Sequence, residues 1–329
     1  MMREELLRIE NLVTRFYTEY GVVQAVDGTN LYLKQGETLG IVGESGSGKT
    51  VTAMSIMGMI ENPGKIENGR ILLKGDNLLY KSEKEMREIR GGLIAMVFQD
   101  SLSSLNPTLT VGEQIGRVLR FHTTLTPHVI HKRVVELLEK VGIPEPTKRY
   151  GGYPHEMSGG MRQRVLIAMA ISCNPSLLIL DEPTTALDVT IEAQIFELIE
   201  QLKKHFNMGI ILITHDLSVV ANTCDRVAIM YSGKLIEQGS VSEVFKRQLH
   251  PYTRGLIRSI PRIDGPVDEN LYSIPGEVPD LINLPGGCNF APRCAYKKDL
   301  CEKESPTLAE FYKDHTAACL RVKEIEYAE

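Results

Sequence analysis

Apolar and polar residues alternate near the N-terminus with the period of β-strands. The pattern predicts strands over residues 6–17 and 30–43, with a turn at Gly36. A short strand pair is predicted over residues 69–79, and residues 92–100 read as a buried strand that ends in polar residues. The first hundred residues are therefore expected to be mostly strands, with a Gly-rich loop after residue 42 and a helix from Lys49 to about Ile60.

The period becomes helical between residues 101 and 164. One helix is predicted to begin at Thr126, a residue that favours the cap position. Beyond this region the pattern predicts a strand at 177–180, an amphipathic helix at 189–206 and a strand at 209–214. Strands that alternate with helices indicate an α/β fold with parallel strands.

The composition of the 329 residues is that of an ordinary globular protein, with 43% hydrophobic and 24% charged residues. A net charge of −5 weighs against nucleic-acid binding, which favours a basic face. The N-terminus lacks the apolar core of a secretory signal, and the longest uninterrupted apolar run, 165–171, is too short to span a membrane. We therefore expect a cytosolic protein that acts at a membrane only through partners.

The composition shifts after about residue 260. The following residues are rich in Pro and Gly and show no clear period. This shift predicts a domain boundary, with residues 1–260 forming the main domain and residues 261–329 a small irregular module.

Residues 43–50, GESGSGKT, match the phosphate-loop pattern G-x-x-x-x-G-K-[ST]. Glycines let successive backbone N–H groups point at phosphate oxygens, and the following helix adds a favourable dipole. Lys49 would neutralise phosphate charge, and the hydroxyl of Thr50 would bind Mg²⁺. A predicted strand precedes the loop and a predicted helix follows it, as this mechanism requires.

A second chemical pattern follows at residues 177–184, LLILDEPT, where a buried strand ends in two acids. The carboxylate of Asp181 is suited to the metal and its water shell. Glu182 is suited to orient an attacking water or to accept its proton.

Between these patterns lies MSGGMRQRVLIAMAI, residues 157–171. Ser158, Gly159 and Gly160 before Arg-Gln-Arg resemble the signature motif of the ATP-binding cassette (ABC) family. Met161 departs from the glutamine usual there. The resemblance implies a P-loop ABC ATPase core with a mixed sheet and flanking helices, an antiparallel β arm and a helical subdomain at about 101–164. It also implies a dimer that holds two ATP molecules between facing subunits.

Other marks of the family follow in order. Gln99 resembles the residue that links the metal site to the helical subdomain, and TALD, residues 185–188, resembles the loop that contacts the partner subunit. His215 resembles the histidine that reaches the γ-phosphate, and Tyr20 stands where an aromatic ring stacks on adenine. Catalytic roles are thus expected for Glu182, His215 and Gln99. Expected Mg²⁺ ligands are Thr50, Gln99 and Asp181, and expected ATP contacts are Tyr20, Gly43, Ser45, Gly46, Ser47, Gly48, Lys49, Thr50, Ser158, Gly159, Gly160 and Asp188.

Several longer stretches narrow the resemblance to the ATPases of dipeptide and oligopeptide importers. They include MVFQDSLSSLNPTLTVGEQI, HPYTRGLIRSIP and YSIPGEVPDLINLPGGCNFAPRC. Such importers combine two ATPase subunits, identical or related, with two membrane-spanning permeases. A separate extracytoplasmic protein delivers the peptide. The resemblance places this chain at the cytoplasmic face of the membrane, without nucleic acid. Transport of another cargo, such as a metal chelate, and a soluble ATPase role in DNA repair or translation are the alternatives.

Four of the six cysteines lie in the C-terminal module: Cys288, Cys294, Cys301 and Cys319. A reducing compartment disfavours disulfides, and a small module with few apolar residues needs another constraint, which favours a metal. The spacing leaves two candidates, zinc and an iron–sulfur cluster. The gaps between the cysteines are wide for a zinc site, although His315 would supply one ligand. An iron–sulfur cluster tolerates irregular gaps. The resemblance to peptide-importer ATPases implies a [4Fe–4S] cluster on the four cysteines, with Zn²⁺ as the alternative.

Overall fold

The computed structural model describes residues 4–99, 104–185, 187–260 and 272–326. The predicted domain boundary at 260/261 borders residues outside these ranges and stays a prediction. The strands, numbered in chain order, are β1 Glu5–Thr18, β2 Gly21–Lys34, β3 Thr38–Val42, β4 Gly64–Leu73, β5 Asp76–Asn77, β6 Ile94–Val97, β7 Leu177–Asp181, β8 Gly209–Thr214, β9 Arg226–Tyr231, β10 Lys234–Ser240, β11 Ala309–Tyr312 and β12 His315–Ala317.

The α-helices of the described residues follow most of the predicted helical segments. They cover Lys49–Met57, Glu83–Ile89, Val111–His122, Pro127–Lys140, Pro146–Tyr150, Gly159–Ile171, Val189–Phe206, Leu217–Thr223, Val241–Lys246, Pro251–Arg258, Asp299–Lys303 and Val322–Glu326. Within the described ranges no helix is both long enough and apolar enough to cross a membrane.

The chain divides into two compact units. The first comprises residues 1–6, 33–37 and 80–212, and the second comprises residues 7–32, 38–79 and 213–329.

In the first unit, β6 and β7 pair in parallel, from Ile94 opposite Leu177 to Val97 opposite Leu180. All five residues of β7 are buried, which explains its continuous apolar sequence. Thr126 occupies the N-cap of the helix Pro127–Lys140, as predicted. The helix Val189–Phe206 has the predicted bounds, with four apolar residues of one face buried: Ile195, Leu198, Ile199 and Leu202.

The second unit contains an antiparallel arm and a mixed sheet. The arm has the strand order β2-β1-β4-β5. In the sheet, the order β11-β12-β10-β9-β3 combines a parallel pair, β3 with β9, and antiparallel pairs between β9, β10, β12 and β11. The prediction of parallel strands alone from the alternating pattern was therefore wrong for this unit, whereas the mixed sheet implied by the resemblance is confirmed.

The C-terminal module is more regular than predicted. β12 pairs antiparallel with β10, with Glu237 opposite Ala317, and β11 pairs with β12. Both strands are shorter than the window over which alternation can be recognised, so the sequence pattern did not reveal them. Between residues 272 and 298 the module has no α-helix or strand, as predicted.

Candidate functional site

The phosphate loop lies in the second unit, between the buried strand β3 and the helix Lys49–Met57. Gly48, at the N-cap, has a φ of 100°, and a Cβ there would lie 2.3 Å from the carbonyl oxygen of Ala25. A Cβ on Gly43 would lie 2.2 Å from the carbonyl oxygen of Met230. Only glycine fits at these two positions, because a side chain would collide with rigid backbone.

Lys49 directs its charge into the loop. The Lys49 side chain is buried, and its Nζ donates to the carbonyl oxygens of Gly43 at 2.7 Å and Glu44 at 2.9 Å. Ser45, Gly46 and Thr50 are exposed at the outer surface of the loop, whereas Ser47 is buried. The arrangement is a glycine cradle with an internal cation at a helix N-terminus, which suits a bound anion.

Tyr20 and His215 are also in the second unit. Tyr20, in the turn between β1 and β2, is 88% exposed and takes no part in strand packing. The neighbouring Tyr17 is engaged differently, since its hydroxyl donates to Glu67. His215 is exposed and directly follows β8, just before the helix Leu217–Thr223.

The acidic pair lies in the first unit, at the carboxyl end of β7. Asp181 is the last residue of the strand and is buried. The next residue, Glu182, has a left-handed φ of 46°. Its Oε2 accepts from Nε2 of Gln99 at 2.9 Å and from the hydroxyl of Thr185 at 3.1 Å. Gln99 lies two residues beyond β6, the parallel neighbour of β7, so the topology brings Gln99 and Glu182 together.

The signature residues lie at the start of the helix Gly159–Ile171, also in the first unit. Ser158 caps the helix, its Oγ accepting from the backbone N–H of Met161 at 3.3 Å. A Cβ on Gly160 would lie 2.7 Å from the side chain of Ile191, so this glycine permits close packing of two helices. Asp188 caps the second of these helices and accepts from the N–H of Ile191 at 2.9 Å. Ser158 and Asp188 are both exposed.

All six cysteines lie in the described ranges, and none of them forms a disulfide bond. Cys288 donates its backbone N–H to the carbonyl oxygen of Cys301 at 2.8 Å. A Cβ on Gly287 would lie 2.3 Å from that same oxygen, so this approach of two chain segments requires glycine.

The thiols of the module influence one another. Burial, and to a lesser extent the charges of Cys288, Cys294 and Cys301, raises the pKa of Cys319 to about 12. Burial is also the main cause that raises the pKa of Cys288 and of Cys294. The four cysteines therefore lie in one neighbourhood. Even so, in the part of the chain described, no three His, Cys, Asp or Glu side chains are grouped so that they could hold a metal ion.

His315 is committed elsewhere. Its Nε2 lies 2.8 Å from Oε1 of Glu237, and both side chains are completely buried. This contact gives the Nε2 of His315 a partner in the sheet.

Sequence reasoning missed four residues around the phosphate loop: Glu44, Tyr231, Tyr252 and Arg293. Oε2 of Glu44 accepts from Nη1 of Arg293 at 2.8 Å, and its backbone N–H donates to the hydroxyl of Tyr252 at 3.0 Å. Three of them lie in stretches quoted above: Glu44 in GESGSGKT, Tyr252 in HPYTRGLIRSIP and Arg293 in the stretch that ends APRC. The contact with Arg293 spans 249 positions, so no local pattern indicated it.

Comparison with known proteins agrees with this geometry. The profile of the family described as "ABC transporter" matches residues 26–185. A second profile, "Oligopeptide/dipeptide transporter, C-terminal region", matches residues 236–301. Together they cover the phosphate loop, the signature residues, the acidic pair and three of the four clustered cysteines.

Curated relatives are similar over nearly the whole chain. The oligopeptide transport ATP-binding protein OppD of Bacillus subtilis is 52% identical over 94% of this chain and 87% of its own. The dipeptide transport ATP-binding protein DppD of the same organism is 49% identical over 96% of this chain and 94% of its own. A putative peptide import ATP-binding protein of Brucella ovis is 48% identical over 99% of both chains.

Solved structures share the fold. The dimeric ATP-binding cassette MJ0796, bound to ADP and Pi, matches with a TM-score of 0.64 and 27% identity over 71% of this chain and 98% of its own. CbiO1 of Clostridium perfringens, part of an ABC transporter complex, matches with a TM-score of 0.64 and 31% identity over 74% of this chain and 92% of its own.

The buried strand, glycine loop and capped helix define an ATPase of the P-loop class. The chain belongs to the ATP-binding cassette family of transporter ATPases.

Proposed function

We propose that this protein hydrolyses ATP to drive the import of peptides, as a nucleotide-binding subunit of an ABC transporter. The similarity to peptide-import ATP-binding proteins over the whole chain, including the C-terminal region, is the observation that carries this proposal. That region lies outside the nucleotide-binding motifs, so the likeness reaches beyond what ATP hydrolysis alone requires.

The phosphates of ATP bind to the loop formed by residues 43–50, with the charge of Lys49 directed toward them. Thr50, Gln99 and Asp181 would hold Mg²⁺ through their oxygen atoms. When bound, the metal would neutralise phosphate charge. Tyr20 stacks on the adenine with its exposed ring, and His215 contacts the γ-phosphate. Residues of the partner subunit equivalent to Ser158, Gly159, Gly160 and Asp188 complete each site.

Glu182 acts as the general base that orients and deprotonates the attacking water. Its carboxylate is held in place by Gln99 and Thr185, each within hydrogen-bonding distance of the same oxygen. A base fixed from two sides loses little freedom when the water binds, which favours proton transfer.

The variant Glu182→Gln tests this role. Glutamine keeps the shape and the contact with Thr185 but cannot accept the proton, so turnover should fall by about 100-fold or more while ATP binding persists. Single-turnover hydrolysis and equilibrium binding of ATP measure the two quantities. Glu197→Gln, on the helix Val189–Phe206, is the matched control and should hydrolyse ATP at the wild-type rate. Wild-type turnover in Glu182→Gln would contradict the role.

The protein works at the cytoplasmic face of the membrane with a second ATPase subunit, identical or related. Two permeases form the channel, and an extracytoplasmic binding protein delivers the peptide. Affinity purification from mildly solubilised membranes should recover the permeases. Recovery of DNA or ribosomes in their place would indicate the soluble alternative, and recovery with a permease for metal chelates would indicate another cargo.

We propose in addition that Cys288, Cys294, Cys301 and Cys319 would hold a [4Fe–4S] cluster, although in the described residues their side chains are not grouped around a single metal ion. Four thiols in one module supply the ligand type that such a cluster needs. The backbone N–H groups of Phe290, Tyr296 and Arg321 interact with these sulfurs, and hydrogen bonds of this kind tune clusters.

Metal analysis of protein purified without oxygen tests the cluster. The expected result is brown protein with about four irons per chain, the content of one such cluster. Substituting Cys301 by Ser should lower the iron content, whereas substituting Cys173, which lies outside the module, should leave it unchanged. Colourless protein with one zinc per chain would contradict the proposal and favour the alternative metal.

A further inference from the structure

Arg293, in the C-terminal module (the cysteine module from here on), forms an ion pair with the phosphate loop. Its Nη1 donates to Oε2 of Glu44 at 2.8 Å, and its Nη2 donates to Oε1 at 3.3 Å. The arginine side chain is 6% exposed and the glutamate side chain 27%. A two-pronged pair that is mostly removed from water fixes both the position and the direction of Glu44.

Arg293 is itself held rigidly. Its Nε donates to the carbonyl oxygen of Pro275 at 3.1 Å, and its Nη2 also donates to that of Ile274 at 3.2 Å. Nη1 lies 3.4 Å from the hydroxyl of Tyr231. The guanidinium is therefore fixed by contacts to the module and to β9. Glu44 binds a guanidinium whose position is already determined by these contacts.

The backbone of Glu44 is equally constrained. Its N–H donates to the hydroxyl of Tyr252, and its carbonyl oxygen accepts from Nζ of Lys49 at 2.9 Å and from the N–H of Ser47 at 3.2 Å. Glu44 thus links Arg293 and Tyr252 to Lys49, the lysine proposed to face the phosphates of ATP.

The module also contacts Tyr252, which holds Glu44, and Tyr231, which contacts Arg293. The ring of Phe290 packs edge-on against Tyr231 at 5.2 Å and against Tyr252 at 5.5 Å. Phe290 and Arg293 lie on the segment between Cys288 and Cys294, so one segment carries both the aromatic and the ionic contact.

We propose that Arg293 is a positioning residue of the ATP site, which acts through Glu44 to hold the phosphate loop in its nucleotide-binding shape. The cysteine module is then part of the ATP-binding apparatus. This inference depends on ATP binding by the loop and is independent of which metal the cysteines hold.

The variant Arg293→Met removes every donor while keeping a long side chain. Loss of a charge-assisted contact to the loop should raise the Kd and KM for ATP by about tenfold. The kcat at saturating ATP should stay within about twofold, because uniform binding is lost and the catalytic groups are untouched. Arg293→Lys, with one point charge, should recover part of the affinity.

The matched control is Lys297→Met, which breaks an exposed ion pair with Glu302 in the same module. Its Kd for ATP should equal that of the wild type. Equal losses in both variants would show that any damage to the module weakens ATP binding, and the proposal would fail.

A double-mutant cycle with Glu44→Gln isolates the contact. If Arg293 acts through Glu44, the double variant should bind ATP with about the affinity of whichever single variant, Arg293→Met or Glu44→Gln, binds it less tightly. Independent, multiplying losses would overturn the proposal, as would wild-type affinity in Arg293→Met.

Folding and metal content are measured on each variant. Should Arg293→Met not fold, Glu44→Gln alone decides the matter, since it keeps Arg293 and should still raise the Kd for ATP. If the module loses its metal in Arg293→Met while Glu44→Gln binds ATP normally, the effect belongs to the module's own folding and the inference is wrong.

Discussion

Much of the phosphate loop and of the cysteine module lies outside helices and strands, yet different contacts fix their shapes. In the loop, a buried strand enters, a helix leaves, and glycines allow the turn between them. In the module, single polar side chains reach distant parts of the second unit. Arg293 contacts Glu44, Asn289 donates to the carbonyl oxygen of Ser232 at 3.0 Å, and His315 contacts Glu237.

The difference shows two ways of ordering an irregular segment. The loop depends on particular residues at particular spacings, so a substitution there should distort the loop itself. The module depends on contacts between residues far apart in the sequence, and these need a buried partner such as Glu237. This fully buried carboxylate accepts from the N–H groups of Leu249 at 2.9 Å and His250 at 2.8 Å, and it contacts His315. A buried carboxylate requires such partners, because leaving it unpaired would be costly.

The largest effect on ATP affinity is expected from Gly48→Ala in the loop. The new Cβ would meet the carbonyl oxygen of Ala25, and the residue would keep a φ that disfavours side chains. The loop must shift, and displacing backbone N–H groups of the proposed phosphate site should weaken ATP binding by about 100-fold or more. Equilibrium titration with ATP measures the loss.

Gly46→Ala is the matched control within the same loop. Its φ of 76° is also left-handed, but a Cβ there would meet nothing within 4 Å. Strain alone, about 1–2 kcal/mol, should leave a smaller loss of ATP affinity than the clash at Gly48. Equal losses of ATP affinity in the two variants would show that the unfavourable φ, and not a steric clash, explains the effect of alanine in the loop.

The contrast between local patterns and contacts distant in the sequence explains how much of the structure the sequence could predict. The phosphate loop, β7 and the helix Val189–Phe206 were predictable because their patterns are local and regular. The first helix ends at Met57, earlier than predicted, because Gly58 adopts a φ of 61° there. The contact of Gln99 with Glu182 follows from parallel pairing of β6 with β7. The roles of Glu44, Arg293 and Glu237 depend on distant contacts, which no local period encodes.

The effect of His315→Ala is expected on folding stability, because the substitution removes a buried contact of the module. The substitution leaves the buried Glu237 without one of its partners and opens a cavity between β10 and β12. Breaking a buried pair of this kind destabilises by about 3–5 kcal/mol, which urea unfolding can measure. His128→Ala, at an exposed position, should change stability by less than about 0.5 kcal/mol. An unchanged urea midpoint in His315→Ala would mean that strand pairing alone attaches the module.

The smallest effect is expected from Glu324→Gln, which tests whether exposed ion pairs also anchor the module. Hydrogen bonds from Lys298, and then from Arg321, lower the pKa of Glu324 below its ordinary value of 4.5. The folded state therefore binds this proton less tightly, so the stabilisation is full above pH 4.5 and disappears as the pH falls through the lowered pKa. The Tm of Glu324→Gln should lie slightly below that of the wild type at neutral pH, and the difference should vanish in acid and shrink in high salt. A loss of stability as large as that of His315→Ala would contradict the distinction between buried and exposed contacts, because an exposed ion pair would then hold the module as firmly as a buried one.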